Sequence, residues 1–102
     1  MKTKQKVSFK DILNSSPKVF VDFHAVWCGP CKMMSPILKE LKQKVGDDVR
    51  IVKVDVDKNP AIAQKFQVRG VPTLMLFVNG EVAWRSSGVQ SADALKTIID
   101  QH

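Results

Sequence analysis

Apolar and polar positions along the chain follow two patterns, which predict strands and helices in turn. A near-continuous apolar run covers residues 19–26, and apolar-rich segments of strand length cover residues 49–56 and 73–78. Segments of this type predict strands buried on both faces. Between the runs, apolar residues recur every three or four positions, which predicts amphipathic helices. The predicted order is helix, strand, helix, strand, helix, strand, strand, helix. This order indicates an α/β fold in which helices flank both faces of a central mixed sheet.

The predicted helices begin and end at residues that suit those positions. Their starting residues are Ser8, Pro30 or Cys31, Asn59 followed by Pro60, and Ser91. The first three helices are predicted to end before Pro17, at Gly46 and near Phe66. Pro36 lies inside the second helix and should kink it, because its nitrogen cannot donate to the carbonyl of Lys32.

The end of the third strand carries a hairpin signal. Asn79-Gly80 suits a two-residue turn, so residues 81–85 should return as an antiparallel strand. Residues 4–7 are a candidate edge strand.

Composition is that of one compact domain, residues 1–102, which we expect to be a monomer. Apolar residues make up 44% of the chain and charged residues 25%, and neither share departs from the ordinary range. No apolar run approaches the roughly 20 residues of a membrane span. The first residues lack the apolar region of a secretory signal, so we expect a cytoplasmic protein, with an extracytoplasmic origin after signal removal left open.

The net charge of +6 is concentrated partly at the start of the chain, where Lys2, Lys4, Lys6 and Lys10 stand without an acidic residue. Such a run has two interpretations, a patch for nucleic acid or membrane and a solvated terminus. No aromatic or glycine motif of an RNA- or DNA-binding module accompanies the charge. We therefore expect neither nucleic acid nor membrane as a partner.

The two cysteines, Cys28 and Cys31, lie at the predicted turn between the first strand and the second helix. Thiols at this spacing are close enough to form a disulfide. The positive end of the helix dipole lies near Cys28 and favours its thiolate, the species that attacks other disulfides. The pattern predicts dithiol/disulfide exchange, and a pair of inert buried thiols is the alternative.

Zinc binding is the other chemical interpretation of these cysteines. A tetrahedral site needs four ligands, and the candidates are Cys28, Cys31, His24, His102 and carboxylates. No second Cys-x-x-Cys or His-x-x-x-His motif completes such a set. We therefore expect no metal and no cofactor.

Asp22 interrupts the first apolar run. An isolated carboxylate in a buried strand is costly, so its pKa should rise and it should be able to accept a proton near neutral pH. Exposure at a strand face is the alternative.

Several motifs together resemble those of the thioredoxin family. They are Val21-Asp22-Phe23, Trp27-Cys28-Gly29-Pro30-Cys31-Lys32, Pro36, Val71-Pro72-Thr73, Asn79-Gly80 and Gly88. The match runs from about residue 8 to the C-terminus, and the pentapeptide with Val-Pro-Thr is much more specific than Cys-x-x-Cys alone. The resemblance implies the thioredoxin fold and a protein-disulfide reductase that takes electrons from thioredoxin reductase.

The resemblance also assigns roles to residues. Cys28 would attack the substrate disulfide from an accessible position, and the more buried Cys31 would resolve the mixed disulfide. Asp22 would lie behind Cys31 and assist its deprotonation, paired with Lys53. The Gly-Pro pair between the cysteines is typical of reducing members of the family.

A peptide-binding groove beside Cys28 is implied as well. Its residues would be Trp27, Gly29, Pro30, Gly70, Val71, Pro72 and Gly88. The Val71-Pro72 bond would be cis, which leaves the backbone of Val71 free to pair with an extended substrate. The glycines would let substrate backbone approach closely. Ordinary packing of Trp27 is the alternative.

His24 departs from the family pattern, since many thioredoxins carry a second tryptophan there. We expect a partly buried packing residue, and a further hypothesis is that it adds pH sensitivity to the site near neutrality. Two competing functions remain at this point. One is a non-catalytic binding module, and the other is an oxidase or isomerase, which only the reduction potential separates from a reductase.

Overall fold

The computed structural model describes residues 8–102, so the candidate edge strand at residues 4–7 lies outside it. The elements follow the predicted order. They are α1 (Phe9–Leu13), β1 (Lys18–His24), α2 (Gly29–Lys32), α3 (Met34–Val45), β2 (Arg50–Asp55), α4 (Pro60–Lys65), β3 (Thr73–Val78), β4 (Glu81–Ser87) and α5 (Ala92–Asp100). No helix in this range is long and apolar enough to cross a membrane.

The four described strands form one mixed sheet in the order β2-β1-β3-β4. Strands β1 and β2 run parallel, whereas the β1–β3 and β3–β4 pairs are antiparallel. The β3–β4 hairpin turns at Asn79 and Gly80, whose φ angles are 52° and 86°. Two consecutive positive φ angles are what a type I′ turn requires, so the predicted hairpin is confirmed.

Helices cover both faces of the sheet, as predicted. On one face, α3 and α5 bury side chains such as Met34 and Leu95 against Phe20 of β1. On the other face, α1 and α4 pack around Val21 and Phe23 of the same strand. Because β1 has helices on both sides, its successive residues are buried whichever way they point, which explains its near-continuous apolar run.

Two strand predictions differ from the structure. The run predicted over residues 19–26 ends as a strand at His24, and Val26 is 70% exposed. The chain leaves the sheet there and turns toward Cys28, whose N–H donates to the carbonyl of Ala25 at 3.2 Å. The second strand was expected to be buried on both faces, but within β2 only Val54 is fully buried. It is one of the two edge strands of the described sheet, so no described strand pairs with its outer side.

The helix is irregular near Pro36, in line with the predicted kink, and the backbone of Met33 stays in the helical region. The helix is interrupted at Met33, which separates the single turn α2 from α3. Without an N–H at Pro36, the carbonyl of Lys32 loses its helical donor. The two cysteines therefore belong to a short separate turn rather than to the long helix.

Serine caps hold the first and last helices. The hydroxyl of Ser8 accepts from the N–H of Asp11 at 3.1 Å, and that of Ser91 accepts from Ala94 at the same distance. Asn59 stands at the predicted N-cap of α4, but its side chain donates to the carbonyl of Asp55 instead.

Candidate active site

Cys28 and Cys31 are joined as a disulfide at the start of α2. Cys28 is the N-cap residue of this turn, and its Sγ accepts a hydrogen bond from the backbone N–H of Cys31 at 3.1 Å. An N–H of the first helical turn thus points at the sulfur of Cys28. A negative charge on this sulfur would be stabilised by the same bond.

Both cysteines are almost completely covered. Cys28 is 4% exposed and Cys31 is 5% exposed, so the expectation of an accessible Cys28 beside a more buried Cys31 is wrong for this state. Ala25, Val56 and Val71 pack around the pair. Because the disulfide holds the two sulfurs together, one apolar cover shields both.

The segment before β3 lies directly against the disulfide. The Val71-Pro72 bond is cis, as the resemblance implied, and the carbonyl oxygen of Val71 lies 3.6 Å from Sγ of Cys28. Two hydrogen bonds hold the segment in place. The hydroxyl of Thr73 donates to the carbonyl of Gly70 at 2.6 Å, and the N–H of Gly88 donates to the carbonyl of Pro72 at 2.9 Å.

Trp27 stands beside the disulfide and the residue is 69% exposed, so its interpretation as ordinary packing is wrong. Its indole Nε1 donates to Oδ2 of Asp57 at 2.8 Å. Asp57 was not predicted as a site residue, because the bond joins residues 30 positions apart and no local pattern marks it. Gly29 and Pro30 follow on the exposed start of α2.

Asp22 is fully buried, so the alternative of a carboxylate exposed at a strand face is wrong. Neither of its oxygens has a hydrogen-bond partner among the described residues. Burial raises the pKa of Asp22 from its ordinary 3.8 to about 6, and the nearby positive charges of His24 and Lys53 oppose that rise. The group is therefore a buried base that titrates close to neutral pH.

Lys53 is adjacent to Asp22 in the sheet but does not pair with it. The two residues are register partners on β2 and β1. The ammonium of Lys53 instead donates to Oγ of Ser35 at 2.8 Å. The implied Lys53–Asp22 pair is thus absent as a direct contact, and Lys53 acts on the carboxylate only through its charge.

His24 is half-buried, as expected, at the end of β1. Side chains two positions apart on a strand share a face, so it lies on the same side of the sheet as Asp22. Its electrostatic effect lowers the pKa of Asp22 more than the effect of Lys53 does.

Comparison with known proteins places this geometry in a family context. The family model described as Thioredoxin matches residues 1–101. A thioredoxin-like protein of Synechocystis is 47% identical over 93 residues, which cover 90% of this chain and 89% of the relative. The thioredoxin of Bacillus subtilis is 46% identical over 84 residues, which cover 82% and 81% of the two chains.

Solved structures give the same result for the fold. A mutant thioredoxin from Halobacterium salinarum superimposes with a TM-score of 0.85 and 40% sequence identity. The alignment covers 96% of this chain and 85% of the archaeal one.

Proposed function

The chain belongs to the thioredoxin family, and we propose that Cys28 supplies its attacking thiolate while Cys31 resolves the mixed disulfide. The protein is a disulfide oxidoreductase that reduces protein disulfides through its redox-active Cys-x-x-Cys dithiol. This assignment contradicts the alternative of a non-catalytic binding module.

The proposed reaction passes two electrons to the substrate in two exchanges. The Cys28 thiolate attacks one sulfur of the substrate disulfide, forms a mixed disulfide and expels the other sulfur as a thiolate. Cys31 then loses its proton and attacks Sγ of Cys28, which closes the Cys28–Cys31 bond and releases the second substrate sulfur. The N-cap position of Cys28 carries this proposal, since the Cys31 N–H that bonds to its sulfur would stabilise the thiolate.

Asp22 is the proposed acceptor of the Cys31 proton, relayed through water. With a pKa of about 6, the carboxylate is mostly ionised at neutral pH yet basic enough to take up a proton. Lys53 would tune this base through its charge. We expect Asp22→Asn to slow release of substrate from the mixed disulfide while leaving the first attack unchanged, as single-turnover kinetics can resolve.

The groove residues named from the sequence would hold the substrate peptide beside Cys28. They are Trp27, Gly29, Pro30, Gly70, Val71, Pro72 and Gly88. An extended substrate backbone would pair with the backbone of Val71, whose carbonyl already lies next to the sulfur of Cys28. The exposed ring of Trp27 supports this proposal, because it offers apolar surface to a partner.

Membership in the family implies the partners of a thioredoxin system. We propose that a thioredoxin reductase returns electrons to the oxidised pair and that disulfide-containing proteins, including peroxiredoxins, are the substrates. The chain would act as a monomeric single domain, residues 1–102. A reducing compartment such as the cytoplasm suits this direction of electron flow.

Insulin reduction with dithiothreitol tests the assignment of the two cysteines. We expect Cys28→Ser to lower the rate to that of dithiothreitol alone and Cys31→Ser to accumulate a mixed disulfide on Cys28, visible by mass spectrometry. Full activity of Cys28→Ser would refute the proposal, and accumulation of a mixed disulfide on Cys31 in Cys28→Ser, with none on Cys28 in Cys31→Ser, would reverse the roles.

The direction of electron flow has its own test. A strongly reducing equilibrium potential in a glutathione buffer supports the reductase, whereas a value near that of the secretory compartment supports the oxidase or isomerase alternative.

A further inference from the structure

Lys53 has two polar neighbours within reach, and the structure shows it bonded to only one of them. Its ammonium donates to the hydroxyl of Ser35, which lies in the first turn of α3. Its register partner across the β1–β2 pair is Asp22, whose carboxylate has no hydrogen-bond partner among the described residues.

A contact with Asp22 in place of Ser35 is within the reach expected of Lys53, because the two residues are register partners. Paired strands lie about 4.8 Å apart, and register partners in a parallel pair point to the same face of the sheet. The four-carbon stem of lysine is flexible enough to bring the ammonium across that distance. The choice of Ser35 over Asp22 therefore needs a cause.

We propose that Ser35 is a positioning residue for proton transfer, because its hydroxyl holds the ammonium of Lys53 toward α3 and keeps it from pairing with Asp22. The inference rests on the proposed role of Asp22 as the proton acceptor for Cys31. Ser35 would act only through Lys53, without touching the reacting sulfurs.

The surroundings of Lys53 support this proposal. Ser35 and Lys53 line a groove of about 470 Å³ between α3 and β2. The other charged residues that line it are Lys39, Lys42 and Arg50, and none of its lining residues is acidic. An ammonium released from Ser35 would meet like charges in the groove, so it would exchange between solvent and the carboxylate of Asp22, which attracts it.

Few other charges act on Asp22. His24 on its own strand and Lys53 on β2 are the two that affect its pKa. Its partner on β3 is the apolar Leu74, and the α3 side chains buried on this face, Met34 and Leu38, are apolar as well. The position of the Lys53 ammonium is therefore one of two electrostatic influences on this base, and a direct contact would strengthen it.

The charge of Lys53 determines how its release from Ser35 would affect the reaction. A lysine ammonium in direct contact with a buried carboxylate favours the ionised form and lowers its pKa. A carboxylate with a lower pKa is a weaker base for the resolving thiol. By holding Lys53 aside, Ser35 would keep Asp22 basic enough for its task.

Titration of the Asp22 carboxyl carbon by NMR in the oxidised protein tests the proposal. We expect Ser35→Ala to lower the pKa of Asp22 by about half a unit or more, a roughly threefold rise in its acid dissociation constant. Ser35→Thr keeps the hydroxyl and should titrate like the wild type. An unchanged or raised pKa in Ser35→Ala would overturn the proposal.

The Lys53→Met background shows whether Ser35→Ala changes the pKa of Asp22 through Lys53. Lys53→Met keeps the stem without the charge, so it should raise the pKa of Asp22, and adding Ser35→Ala should then change nothing. A shift that persists without Lys53 would also overturn the proposal. Since this readout needs no turnover, it remains valid even if Asp22→Asn reduces insulin normally, a result that would refute the proton-acceptor role alone.

Discussion

The indole nitrogen of Trp27 donates a hydrogen bond to the carboxylate of Asp57 at 2.8 Å. The bond links the residue before Cys28 to the loop that follows β2, and it orients a ring that is otherwise mostly exposed. The loop itself is shaped by Asp55, whose Oδ1 accepts from the N–H groups of Asp57 and Lys58. One wall of the proposed groove therefore depends on a contact between distant parts of the chain.

Loss of this bond should weaken substrate binding. An exposed hydrogen bond to a charged group contributes about 0.5–1 kcal/mol, so we expect Asp57→Ala to raise KM for insulin about two- to fivefold with little change in kcat. Asp48→Ala, at another exposed carboxylate, is the matched control. In a Trp27→Phe background, which lacks the N–H, the Asp57 substitution should have no further effect. A full effect there would show that Asp57 acts in another way.

The buried carboxylate of Asp22 should make stability depend on pH. Its pKa is about 6 in the folded protein and 3.8 in the unfolded chain, so between these values the folded state binds the extra proton. The contribution of Asp22 to the free energy of unfolding should therefore be largest below about pH 4 and should fall as pH rises through about 6. The shift of about two units corresponds to roughly 3 kcal/mol.

Asp22→Asn removes this dependence. We expect the free energy of unfolding of the variant, relative to wild type, to rise by roughly 3 kcal/mol between pH 4 and pH 7.5 and then to level off. Guanidinium unfolding of both oxidised proteins measures it, with the exposed Asp48→Asn as control. A difference that stays constant with pH would contradict the raised pKa.

His24 should affect the pH at which the activity of the protein declines in acid. Its electrostatic interaction with Asp22 lowers the pKa of that carboxyl, so His24→Gln should raise the pKa and move the acid limb of insulin reduction to higher pH. His24→Trp, which also removes the charge, should shift the limb in the same direction. Unchanged pH profiles in both variants would refute the pH-sensitivity hypothesis. In an Asp22→Asn background, neither substitution should move the limb.

Two glycines of the groove should respond differently to alanine. Gly88 has a φ of 96°, so Gly88→Ala should cost about 1 kcal/mol or more of folding stability. Gly70 lacks a positive φ, and a Cβ there would meet nothing within 4 Å. Gly70→Ala should therefore keep stability within about 0.5 kcal/mol yet raise KM, because the methyl group would obstruct the substrate backbone. An unchanged KM in Gly70→Ala would remove this residue from the groove.

The sequence by itself was sufficient to predict the type and order of the elements and the burial of Asp22. Apolar runs of strand length and serine caps are local signals, and each reports on the backbone within a few residues. The break at Pro36 is local in the same sense, because one missing N–H affects one carbonyl four residues earlier. The burial of Asp22 was predictable because its neighbours Val21 and Phe23 are apolar, which indicates a strand covered on both faces.

Only the tertiary structure decided which side chains meet. The equal burial of Cys28 and Cys31 depends on Val56 and Val71, which arrive from other parts of the chain. The bonds from Trp27 to Asp57 and from Lys53 to Ser35 likewise join separate elements. Lysine in particular has several freely rotating bonds, so its partner is set by the groups that packing brings within reach rather than by its place in the sequence.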